Sequence, residues 1–317
     1  MEVTVAFPDS APKLGLVLPP AAPAAALWQA VDLADAGDID SIWVTDRTLA
    51  GTPWYEALTL LGALAGRVTR VDIGTAVLVP GRRNPVHVAH ALATADRLSN
   101  GRLVAGIGLG GLNPAEYTLD GADRRRAGAL ADECIELLRR LWSEEGVTHP
   151  RWSDVSVTLD PRPEREIPIW IGGSSPAARR RAGRLGDGWL CNFLGPRAFA
   201  QGVTEVGQHA SDAGRDQAAL EHAIYLFAAI GHTRQEAVDV LEPAVLALFG
   251  ATLETFGDAC LYGTPEDWVS RIAEYAAAGA SHVNFLLYST DLPRDVGLVI
   301  DEVRPHLTAG GLATVPA

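Results

Sequence analysis

Short apolar runs alternate with longer segments whose apolar residues recur at helical spacing, and this predicts repeated β-then-α units around a parallel sheet. The run LGLVL at 14–18 reads as a first strand, stopped by Pro19 and Pro20. Residues 24–36 place Leu27, Val31 and Ala34 on one face of a helix that Gly37 ends, and SIWVT at 41–45 reads as a second strand. A helix over 54–64 precedes a third strand at 71–77, and a helix over 85–98, with proline in its first turn, precedes a fourth at 103–107. Residues 123–142 carry Leu130, Cys134, Leu137, Leu138 and Leu141 at helical spacing, which suits a helix covering the sheet from outside.

The pattern lapses over 143–165, where Pro150, Trp152, Pro161 and Pro163 interrupt it; this reads as an excursion with room for a short hairpin. Regularity resumes at 167–171 (IPIWI), 188–191, 223–230 and 282–287. Eight strands alternating with helices predict an α/β fold, a (β/α)8 TIM barrel with an insertion between strands four and five, formed as one domain over 1–317. A doubly wound open sheet is the second choice.

Composition narrows the partners. A hydrophobic share of 48% and a charged share of 21% argue against a disordered or fibrous chain. No apolar run reaches the roughly 18 residues needed to span a bilayer, and the first residues lack a secretory pattern, so a cytoplasmic protein is expected, with no membrane partner. The net charge of −13 disfavours nucleic acid. Cys134, Cys191 and Cys260 are far apart and lack CxxC spacing, so neither a disulfide framework nor a zinc site follows.

In a barrel, ligands meet the C-terminal ends of the strands. That places Pro19, Asp46, Arg47, 76–78, 108–113, 172–175, Asn192, Phe193, Tyr288 and Ser289 at the candidate site. The glycines of 106–111 follow a strand, but Asn113 and Pro114 break the helix start that a dinucleotide fingerprint requires. Gly172, Gly173, Ser174 and Ser175 stand between a strand and a helix, where free amides and the helix dipole favour an anion; a plain N-cap explains the same residues equally well. His87 and His90 could share a helix face, yet nothing nearby completes a metal site. Hydrolase and nucleotide-triphosphatase motifs are missing. Trp43, Trp54, Phe193, Phe256 and Tyr288 could furnish an aromatic pocket or belong to the core.

The run DRLSNGRLVAGIGLG at 96–110, then Glu116 and Tyr117, then Arg126 and the helix ending at Leu141 and Trp142, resembles the bacterial luciferase-like monooxygenase family. IPIWIGGSS at 167–175, AGRLGDGW at 182–189 and GTPEDW at 263–268 match further blocks in the family's order. The resemblance implies a barrel that binds the deazaflavin coenzyme F420 or, alternatively, FMN across its strand ends, acts on a small organic molecule and forms a homodimer. By position it implies a non-prolyl cis peptide between Ala76 and Val77 behind the ring. It also implies a polar contact from Asn113, a cofactor role for Asn192, and phosphate binding at Gly172, Gly173 and Ser174. Asp46, Arg47 and Tyr117 would line the substrate side. Relatives that oxidise sugar phosphates carry a histidine and a glutamate where this chain has Arg47 and Gly111, which argues against that substrate. An oxidoreductase passing hydride is therefore expected, with an oxygen-inserting FMN enzyme next and a cofactor-free binding barrel last.

Overall fold

The computed structural model describes residues 2–6, 11–110, 113–307 and 312–316. Eight parallel strands close on themselves: β1 (Lys13–Val17), β2 (Ser41–Val44), β3 (Asp72–Thr75), β4 (Leu103–Ile107), β5 (Ile169–Gly172), β6 (Gly188–Asn192), β7 (Glu221–Ile230) and β8 (His282–Leu287). β7 closes the ring, pairing with β6 from Glu221↔Gly188 to Tyr225↔Asn192 and with β8 from Ala223↔His282 to Ala228↔Leu287. β8 in turn pairs with β1. The open-sheet alternative is excluded by this closure.

Glycines on the inner face set how the barrel is filled. Trp43 of β2 and Trp170 of β5 stack with centroids 5.2 Å apart. A Cβ on Gly74 would lie 2.4 Å from the Trp43 ring, and one on Gly188 would lie 2.6 Å from the Trp170 ring, so neither position tolerates a side chain beside so large a neighbour. Outside, buried Leu, Val, Ile and Ala side chains of the helices pack against the outward residues of the strands. Helices Pro85–Leu98, Pro176–Leu185 and Pro265–Ala277 each start with proline behind an Asn84, Ser175 or Thr264 cap.

The insertion holds the expected hairpin, Val147–His149 against Ser153–Val157. The predicted third strand ends earlier than 77: Ala76 still donates to Val44, but the chain then swings to β4, where Leu78 bridges Ile107. The helix expected from 54 is Ala57–Arg67, starting behind the Glu56 cap, and that expected from 123 runs Ala127–Ser143 after a turn of 3-10 helix. Two further features lie outside the expectation. Glu2–Ala6 pairs antiparallel with Leu312–Pro316, and Cys260–Gly263 pairs parallel with the second half of β7. That last strand takes the side of β7 that β6 leaves free after Tyr225, so it wedges β6 and β7 apart at their upper ends. Among the described residues no helix is long and apolar enough to cross a membrane.

Candidate active site

The C-terminal ends of all eight strands open into a cavity of about 1100 Å3, bounded on one side by the last turn of helix Arg234–Phe249. Beneath it lies the tryptophan plug, packed with Ala76, Val104, Leu190 and Leu286.

The shelf after β3 explains the neighbouring glycines. The Ala76–Val77 peptide bond is cis, as the resemblance implied. Val77 fits against β4 and β5 only because residues 108 and 172 lack side chains: a Cβ at Gly108 would lie 2.2 Å from Val77 Cγ2, and one at Gly172 would lie 2.6 Å from Val77 Cγ1. A Cβ at Gly106 would meet the Thr75 carbonyl at 1.8 Å, and the Gly108 amide is engaged by the Leu78 carbonyl. Gly106 and Gly108 therefore act as spacers for the shelf, while Gly111 lies outside the described residues.

Asp46 lies at the mouth, but both oxygens of its carboxylate are engaged. Arg83 donates to its two oxygens at 2.6 and 2.7 Å, and the Val79 amide donates at 3.0 Å. Glu116, which sequence reasoning quoted only as part of a motif, is also buried on the cavity wall. It accepts the Thr48 and Leu49 amides at 2.7 and 2.8 Å and pairs with Arg82 at 3.2 Å, pinning the loop after β2 to the loop after β4. Both acids thus hold loops in place, each with three donors on its carboxylate, an arrangement that suits positioning more than proton abstraction.

Arg47 behaves differently. Its guanidinium lies 5.2 Å from the centroid of the Trp54 ring, its Nε is buried without a partner among the described residues, and it forms no ion pair there. Arg124 is the other arginine on the wall and is exposed.

At the end of β5 the two readings of 172–175 coexist. Ser175 caps helix Pro176–Leu185, accepting from the Ala178 amide at 3.2 Å, and Gly172, Gly173, Ser174 and Ser175 also line the cavity. Gly173 sits at φ 113, with its carbonyl taking the Trp189 indole N–H at 2.8 Å. The amides of Ser174 and Ser175 have no acceptor among the described residues and stand at a helix N-terminus beside the cavity. The nearby arginines turn away: Arg179 reaches the Ser174 carbonyl and Glu205, and Arg181 reaches Asp132.

Two expected site residues are placed elsewhere. Tyr117 packs against Val79 and Ala127 and donates its hydroxyl to the Leu109 carbonyl, away from the cavity wall. Asn113 donates to the Leu49 carbonyl at 2.9 Å and accepts from Ala115 at 3.0 Å, so its amide is consumed in latching the loop. Asn192 lines the cavity at the end of β6.

The β6–β8 side is an aromatic wall. Phe193, at φ 58, projects between Phe227 (5.4 Å) and Phe249 (5.1 Å), with both pairs edge to face. Tyr225, Phe227, Leu286 and Tyr288 complete it. Burial raises the phenol of Tyr288 to about 12 and holds that of Tyr225 well above its ordinary value. Trp54 and Tyr288 reach the cavity as the pocket reading allowed, Trp43 belongs to the plug, and Phe256 packs behind Phe249 at 4.8 Å. Tyr225 and Phe227 were hidden in an apolar run; their i, i+2 spacing on a barrel strand was the available signal.

Comparison with known proteins agrees with this arrangement. Residues 7–252 match the family model described as luciferase-like monooxygenase. An F420-dependent glucose-6-phosphate dehydrogenase of Beutenbergia cavernae is 30% identical over 87% of this chain and 91% of its own length. The solved structure of an F420-dependent secondary alcohol dehydrogenase in complex with an F420-acetone adduct superposes with a TM-score of 0.84 at 19% identity, covering 93% of this chain and 98% of the other. The oxygenating constituent of 3,6-diketocamphane monooxygenase from Pseudomonas putida, in complex with FMN, superposes with a TM-score of 0.75 at 18% identity, covering 94% and 99%. With the closed barrel, the insertion after β4 and the shelf after β3 in place, the chain belongs to the luciferase-like monooxygenase family.

Proposed function

We propose that this chain is an oxidoreductase that uses coenzyme F420 to move hydride to or from a small organic substrate. The observation that carries the reading is the pairing of an apolar shelf with an anion-ready rim in one cavity. Ala76 and Val77 offer a flat face to a planar ring, and the Ser174 and Ser175 amides stand at a helix N-terminus on the same wall. The cavity has room for a ring system and a small substrate together. When bound, a reduced deazaflavin supplies the hydride; the protein orients the ring, holds the phosphate and excludes water with its aromatic wall. An open mouth also weighs against a cofactor-free binding barrel.

The named relatives support the deazaflavin, being an F420-dependent dehydrogenase in sequence and an F420-dependent alcohol dehydrogenase in structure. The FMN-bound neighbour keeps reduced FMN and oxygen insertion as the second reading. The resemblance argues against a sugar phosphate, because it places a histidine of the sugar-phosphate dehydrogenases where this chain has Arg47, one of two arginines on the cavity wall among the described residues.

Fluorescence titration with each coenzyme tests the proposal. Micromolar binding of F420 is expected, and micromolar FMN binding with no F420 response would overturn it. A homodimer working in the cytoplasm completes the reading, and light scattering on the purified chain tests the dimer.

A further inference from the structure

The aromatic wall carries two hydroxyls that nothing in the fold uses. Tyr225 and Tyr288 line the cavity, and among the described residues neither phenolic oxygen has a hydrogen-bond partner, whereas Tyr117 and Tyr275 donate theirs to backbone carbonyls. Their rings stand edge to face with Phe227 at 5.8 and 5.7 Å, so one phenylalanine sets the position of both. Asn192, the cross-strand neighbour of Tyr225 on β6, faces the same space.

The acids on the cavity wall are engaged elsewhere: Asp46 with Arg83, Glu116 with Arg82 and two amides, and Asp291 as a helix cap. The unpaired Arg47 stands at the end of β2, and Arg124 after β4. Phe193, Phe227, Phe249, Leu248 and Leu286 supply the remaining surface around the phenols. Phenols that line a cavity without a protein partner are free to donate to a bound acceptor, and the aromatic and aliphatic surface beside them favours an uncharged one.

We propose that Tyr225 and Tyr288 form a binding pair for the carbonyl oxygen of a neutral, apolar ketone or aldehyde, each donating its phenolic hydrogen to that oxygen. This names the substrate class of the reading above and rests on its coenzyme for the chemical step. In the reductive direction a bound reduced deazaflavin would supply hydride to the carbonyl carbon, and the π pair of the C=O bond would move onto oxygen. The oxygen takes the proton of Tyr288, which water restores through the exposed turn at Thr290 and Asp291. The carbonyl is reduced to an alcohol and the deazaflavin is oxidised. Burial keeps both phenols protonated through the neutral range, so the donors are in the right state.

The test uses acetophenone as the probe and α-methylstyrene as its carbonyl-free isostere, with wild type, Tyr225→Phe, Tyr288→Phe and the double variant. The infrared C=O stretch of acetophenone bound to wild type should fall to or below its value in water. In the double variant it should move toward the value in hydrocarbon solvent. The double variant should lose about tenfold in acetophenone affinity relative to α-methylstyrene, the scale of one or two hydrogen bonds. A wild-type stretch already at the hydrocarbon position overturns the proposal whatever the variants do. So does a stretch that the substitutions leave unchanged, or coenzyme binding that they weaken, since the hydroxyls would then serve the ring. If neither coenzyme binds wild type while the infrared result holds, the redox reading falls and the carbonyl pair stands.

Discussion

Asp46 and Arg83 form a two-point ion pair in which the carboxylate side chain is only 2% exposed. Removing the arginine would strand a buried charge, and breaking such pairs from one side costs about 3–5 kcal/mol. Arg83→Ala should therefore destabilise the protein by roughly 3 kcal/mol in urea unfolding. Arg83→Lys should recover only part of this, because an ammonium cannot meet both oxygens. An unchanged midpoint in Arg83→Ala would mean that the loop after β3 is held by other contacts.

Phosphate binding at the β5 end can be probed without disturbing the backbone. Gly173 is unsuitable, since its φ of 113 is unfavourable for any side chain. Ser174→Asp puts a carboxylate beside the free amides and should weaken coenzyme binding by about tenfold or more through charge repulsion. Ser174→Ala should bind nearly as wild type. Equal titrations for the Asp variant and wild type would move the phosphate elsewhere.

Arg47 is available to an anion. Arg47→Met keeps the apolar stack on Trp54 and removes the charge, so stability should change by no more than the roughly 0.5–2 kcal/mol of a partly desolvated cation–π contact. Binding of benzoate as a competitor should weaken by about tenfold, the scale of a charge-assisted hydrogen bond. If benzoate binds both proteins alike, the guanidinium is a wall element only.

The imidazole of His282 sits edge-on to Trp170, with centroids 4.7 Å apart. Burial depresses its pKa from 6.5 to about 4, with Glu221 opposing and Lys13 assisting. The unfolded chain takes up the proton near 6.5 and the folded chain only near 4, so stability contributed by the neutral ring is lost as pH falls across that window. In His282→Phe the acid limb of the urea midpoint against pH should be flatter there. A limb of unchanged slope would assign the acid sensitivity to other groups.

The barrel was legible because its code is local. Each strand is an apolar run of a few residues, and the helices carry their own period and often a cap, so all eight strands were read to within two residues at either end, with β3 ending early. There the chain leaves the ladder at Ala76 for reasons that sit on β4 and β5, in Gly106, Gly108 and Gly172. The same non-locality hid the site's electrostatics. Asp46 finds its partner 37 residues away and Glu116 finds its own 34 residues away, on loops with no shared period. Tyr117 and Asn113 stood at a strand end, but the loop folded back and consumed their polar groups. The Cys260–Gly263 strand is short and pairs with only half of β7, leaving little pattern to read.

That additional strand gives the molecule a division of labour. The ring shelf is built from β3, β4 and β5, while the opening spread by Cys260–Gly263 lies one strand beyond it, between β6 and β7. Residues around the wedge, with the end of helix Arg234–Phe249 above them, can change in size or polarity without touching the face that would hold the redox partner. One half of the rim is thus free to be refitted to new molecules while the other keeps a single chemistry.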